Sequence, residues 1–182
     1  MMKTILVTGI GGLTPRSLAG IIRENHPDYK IIGCDIEKKA VGFFMEGLLD
    51  EYFICPRCNT LEYFPWIEKL VKEKNIDYAF VQPESEIVEW GDYYEKNGRF
   101  PCPVFMGCKA LSVSLKDKAI MAELLEGTEF IPKTIKVTQD NPRYEDVEKV
   151  IGFPCWIRAT NGTGGLGSLR LDDICSYKSW LF

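Results

Sequence analysis

The sequence predicts an α/β protein: a doubly wound, parallel-sheet region followed by a smaller α+β unit. Three features carry that reading. In the first 110 residues, short apolar runs alternate with segments of helical period, as in successive βαβ units. The first run stops at a glycine cluster, as a strand does when it turns toward a helix. Beyond residue 110, two apolar runs flank a glycine-rich stretch, the pattern of a hairpin with a long loop. The expected division is residues 1–110 and residues 111–182.

Residues 3–8, KTILVT, form an apolar run closed by Gly9, which suits a buried strand. A helix is expected next. Pro15 is tolerated in its first turn, and Leu18, Ile21 and Ile22 give it an apolar stripe. Residues 30–34, KIIGC, predict a second strand ending at Asp35, and Tyr52–Ile54 a third. A helix over 61–74 places Phe64, Ile67, Leu70 and Val71 on one face, and Asn75 stops it. Residues 77–81, DYAFV, predict the next strand. Pro83-Glu84-Ser85-Glu86 then opens a helix with acidic residues at the positive end of its dipole. Val104, Phe105 and Met106 predict the last strand of this region, between Pro103 and Gly107.

The second region is expected to start with Ser114 as the N-cap of a helix through KDKAIMAELLE, ending at Gly127 as its C′ residue. Lys133–Val137 predicts a strand, YEDVEKV a helix, and FPCWIRA a strand after Gly152. Residues 161–167 join that strand to SLRL, and Asp172 or Asp173 caps a closing helix.

Bulk properties narrow the function. Hydrophobic residues make up 46% and charged residues 26% of the 182, an ordinary globular composition. A formal net charge of -4 supplies no basic field for nucleic acid or an anionic membrane surface. No signal h-region or membrane-spanning run occurs, so a cytoplasmic location is expected. Cys34, Cys55, Cys102, Cys155 and Cys175 lie in or beside apolar segments, as reduced thiols do, and no disulfide framework is expected. Cys55-Pro-Arg-Cys58 has the spacing of half a zinc site, but Cys102 and Cys108 make a poor second half, so no metal site is assigned. His26 is the only histidine, which removes histidine-dependent triads.

Gly9, Gly11 and Gly12 after the first strand, with Asp35 ending the second, invite a dinucleotide reading. The G-x-G-x-x-G fingerprint fails at Thr14, and no tyrosine precedes a lysine in Tyr-x-x-x-Lys. A tight turn in a Rossmann-like sheet accounts for the glycines better. If the loop has a ligand, Thr14, Ser17 and backbone N–H groups could hold a small anion.

The segment IGFPCWIRATNGTGGLGSLRL delivers a cation, Arg158, on an aromatic-rich strand, followed by Gly162, Gly164, Gly165 and Gly167. Phosphate chemistry uses that pairing: glycines let backbone N–H groups approach the oxygens, and a fixed cation offsets transferred charge. It is not a Walker A loop, since no Gly-Lys-Ser/Thr follows.

With Asp117-Lys118 upstream, then Lys133–Val137, the Gly152-Phe-Pro-Cys-Trp-Ile-Arg158 strand and the 162–167 loop, the order of parts resembles the ATP-grasp superfamily. The first region is similar to the Rossmann-like pre-ATP-grasp domain of the carbamoyl phosphate synthase large subunit and biotin carboxylase branch. That resemblance implies a pre-ATP-grasp domain at 1–110 and a partial ATP-grasp domain, its first α+β subdomain, at 111–182. It implies ATP binding by Lys118, Arg158, Gly162, Thr163, Gly164, Gly165 and Gly167, with Arg158 as the catalytic group stabilising transferred phosphate. Many members carry Lys where this chain has Arg158, and the carbamoyl phosphate synthase large subunit carries Arg. It further implies substrate-side contacts from Gly11, Gly12, Thr14, Ser85 and Glu86, although an acidic first helical turn explains Ser85-Glu86 equally well.

The implied activity is that of a carboxylate-amine or ammonia ligase acting on a carboxylate or bicarbonate through an acyl phosphate, with ATP and Mg as cofactors. The resemblance places the Mg ligands and the adenine hinge in a C-terminal half or partner chain, so this chain alone is expected to be inactive, and a homodimer is compatible with it. Two other classes stay open: an NAD-binding Rossmann module with Asp35 on the ribose, and a non-catalytic regulatory or assembly module whose glycine loop is only a turn.

Overall fold

The computed structural model describes residues 2–161, 165 and 167–181, with only the backbone of Leu115 and Lys116. The chain forms two compact units, Met1–Ser112 and Val113–Phe182.

The first unit is built on five parallel strands: β1 (Thr4–Thr8), β2 (Lys30–Asp35), β3 (Glu51–Ile54), β4 (Tyr78–Phe80) and β5 (Val104–Phe105), in the order β3-β2-β1-β4-β5. The chain lays down β1, β2 and β3 outward in one direction, then returns to β1's free side for β4 and β5. The reversal puts the switch point of the sheet between β1 and β4, where α/β sheets open a crevice beyond the strand ends.

Strand alternation sorts the core onto two faces. Ile5, Val7 and Ile31 pack with Ala19 and Ile22 of α1 (Leu13–Asn25). Leu6, Ile32, Cys34, Ala79 and Val81 pack on the other face, against Ile67 and Leu70 of α2 (Tyr63–Lys74) and Ile87 and Trp90 of α3 (Glu84–Asn97). Both faces are covered, so these strands are continuous apolar runs rather than half-polar ones. The buried stripe of α1 is Pro15, Ala19 and Ile22, whereas Ile21 is exposed; the expected stripe was one step off in helical phase. Asn75 ends α2 with φ 52, as expected of a residue that tolerates the left-handed region.

In the second unit, α4 (Lys109–Lys116) crosses the unit boundary and contains Ser114, so the expected cap lies inside a helix. Asp117 is the cap: its Oδ1 accepts from Ala119 N at 2.8 Å and from Ile120 N at 3.4 Å, starting α5 (Lys118–Leu124). Leu125 caps the other end, with Gly127 two residues further on. Lys133–Val137 forms no strand, contrary to expectation; its alternation lacks a neighbouring ladder to pair with among the described residues. A short helix α6 (Tyr144–Asp146) runs into a π-helical turn, Val147–Ile151. Strands β6 (Cys155–Arg158) and β7 (Ser168–Leu171) pair antiparallel, with Arg158 opposite Ser168. Helix α7 (Ile174–Leu181) is capped by Asp173, whose Oδ1 accepts from Ser176 N at 2.7 Å. Val147, Leu171, Tyr177 and Leu181 form the small core beneath the hairpin.

Gly9 has φ +66, and a Cβ there would collide with Pro83. Gly20, in the middle of α1, has open space around it. Gly9→Ala is therefore expected to destabilise the chain by about 2 kcal/mol, and Gly20→Ala to stabilise it by about 0.5–1 kcal/mol. Chemical denaturation of the two variants checks both signs; a Gly9→Ala variant as stable as the parent contradicts the packed-turn description.

Candidate functional site

Two residues expected to bind phosphate, Lys118 and Arg158 of the second unit, lie close to Thr160 in space or in sequence. Asp117 fixes the first turn of α5, and Lys118 N–H then donates to Thr160 O at 2.9 Å, across 42 positions of sequence. Lys118 Nζ reaches the same carbonyl at 3.5 Å, a long contact for its charge. Arg158 is two residues earlier, at the end of β6, with its side chain exposed. Trp156, 65% exposed, is on the same outward face of the hairpin, while Cys155 and Ile157 turn inward to the core.

The loop between the strands is pinned at its base, where Ala159 N donates to Gly167 O at 3.0 Å and Ser168 N to Gly165 O at 3.1 Å. Gly165 and Gly167 have φ +77 and +66, so glycine is needed at both turns. The expected loop contacts Gly162, Thr163 and Gly164 lie outside the described residues. The structure thus sets Lys118 beside the root of the loop and Arg158 at the strand end that leads into it.

The residues expected on the substrate side lie in the turn after β1 and in the first turns of α1 and α3 of the first unit. Gly12 N donates to Gly9 O at 2.9 Å, closing the turn after β1, and Gly11 N donates to Asp35 Oδ2 at 2.8 Å. Asp35 Oδ1 accepts from Glu37 N at 2.9 Å, so both oxygens of this carboxylate hold backbone groups. Thr14 is exposed in the first turn of α1, and Ser85 is exposed in the first turn of α3. Glu86, next to Ser85, is 5% exposed and turned into the core.

That burial was the least expected feature. Glu86 Oε2 has no hydrogen-bond partner, and Trp90 Nε1 donates to Tyr63 Oη at 3.1 Å. Burial pushes the Glu86 carboxyl above the ordinary glutamate range; the neighbouring Thr8 and Tyr63 hydroxyls pull it partly back, and the nearby Asp35 charge adds to the rise. The same environment raises the Tyr63 phenol. Sequence carried a sign of this: Glu86, Ile87 and Trp90 share one helical face, and the other two are buried.

The seven cysteines are free of disulfides; Cys34 is raised well above its usual range, first by Cys55 beside it and then by burial, and burial raises Cys102 to about 11. Among the described residues no three His, Cys, Asp or Glu side chains gather as a metal site, and no helix is long and apolar enough to cross a membrane.

No protein-family model matches the sequence. No curated protein matches it either. Solved structures do. The biotin carboxylase domain of Hydrogenobacter thermophilus 2-oxoglutarate carboxylase, a dimer in complex with MgADP, ADP and bicarbonate, matches with TM-score 0.60 at 17% identity, over 98% of this chain and 39% of that one. Biotin carboxylase from Campylobacter jejuni, as a β,γ-ATP complex, matches with TM-score 0.57 at 17% identity, over 99% of this chain and 40% of that one.

Two outcomes follow from the site. Asp117→Ala is expected to cost about 1 kcal/mol of stability through loss of the α5 cap, and Asp117→Asn far less, as urea unfolding will read. For Glu86 the folded-state pKa is raised, so its contribution to stability is present below the unfolded value and is lost as pH rises through the folded one. Stability of the parent should therefore fall relative to Glu86→Gln as pH rises above the usual glutamate value of about 4.3; parallel curves would contradict the buried-carboxyl assignment. At that sequence identity the likeness is one of fold, and the chain spans about 40% of the biotin carboxylase domains whose fold it shares.

Proposed function

We propose that the chain is the front part of an ATP-grasp ligase, with the first unit as the pre-ATP-grasp domain and the second as the start of the ATP-binding domain. The observation that carries this reading is the tie between Lys118 and Thr160, which joins the start of α5 to the root of the glycine loop. The fold shared with biotin carboxylase domains solved with adenine nucleotides supports it.

The residues present fit a triphosphate. Arg158, exposed at the end of β6, offers a planar fork suited to phosphate oxygens, and Lys118 brings a second positive charge to the loop. Gly165 and Gly167 let the loop backbone turn closely toward a ligand, and Gly162, Thr163 and Gly164 would extend that cradle. ATP, bound with Mg, would supply the phosphoryl group that activates a carboxylate or bicarbonate for attack by ammonia or an amine. Arg158 and Lys118 would hold the transferred charge, and the loop would exclude water. In the first unit, Gly11, Gly12, Thr14 and Ser85 line the end of the sheet on the substrate side, with Glu86 supporting them from beneath. Bicarbonate is the favoured acid, since one neighbour of the same fold was solved with it. The adenine hinge and Mg ligands would come from a C-terminal half or a partner chain, so complete turnover belongs to that larger assembly. The assembly could be a homodimer in the cytoplasm.

The Asp35 carboxylate already serves Gly11 and Glu37, which leaves it poorly placed to read an NAD ribose. Titrating MgATP and, separately, NAD into ¹⁵N-labelled chain discriminates the readings. MgATP is expected to shift the amides of Lys118, Ala159–Asn161 and Gly165–Ser168, with Lys118→Ala or Arg158→Ala weakening the response about tenfold or more. Shifts confined to Gly9–Gly12 with NAD, lost in Asp35→Ala, would overturn the assignment, as would a MgATP response unchanged in both cation variants.

A further inference from the structure

We draw no further inference here: the strongest candidate, the aromatic face of β4 and β5 formed by half-buried Tyr78 and Phe80 and exposed Phe105, carries none because nothing in the structure shows what covers it.

Discussion

Strand β1 lies between β2 and β4 with both faces covered by core, so none of its apolar residues can meet a ligand. In open α/β sheets ligands bind beyond the strands' carboxyl ends, at the point where the sheet order reverses. Three devices converge there. Asp35 from β2 holds Gly11, Pro83 from the loop after β4 packs on Gly9, and Gln82 N–H, also after β4, donates to Thr8 Oγ1 at 3.3 Å. The loop after β1 is thus shaped by the elements around it more than by its own glycines.

The second unit meets a different constraint. Its core is small, built from one face of a two-stranded hairpin and the helices beneath it, and leaves the hairpin's other face exposed. Along β6 the same alternation that buries Cys155 and Ile157 projects Trp156 and Arg158 outward. An exposed cation at the mouth of a glycine loop follows directly from strand periodicity once the inner positions are filled. The Asp117 cap and the Lys118–Thr160 hydrogen bond then bring the second cation's helix to the same loop.

Much of this was legible in the residues. The strands were readable because buried parallel strands are unbroken apolar runs, and the hairpin because two such runs flank a cluster of glycines. Lys133–Val137 misled for a physical reason: Thr, Ile and Val suit a strand, but a strand exists only with a partner ladder. Ser114 and Asp117 both have capping side chains, and the choice between them depends on where the preceding helix ends, which local pattern does not determine. Glu86 was hidden because a charged residue in a first helical turn is ordinarily a solvated group favoured by the dipole. Its burial depends on the core that α2, α3 and the sheet form together, and no local rule foretells that packing.

The central claim is that Lys118, Arg158 and the glycine loop form one side of a triphosphate site. A crystal structure of this chain grown with Mg and a non-hydrolysable ATP analogue tests it most directly. The account predicts phosphate density against residues 160–168, with the Arg158 guanidinium and Lys118 Nζ within about 3 Å of its oxygens. Nucleotide density lying instead over Gly9–Gly12 and Asp35, with Arg158 turned to solvent, would contradict it.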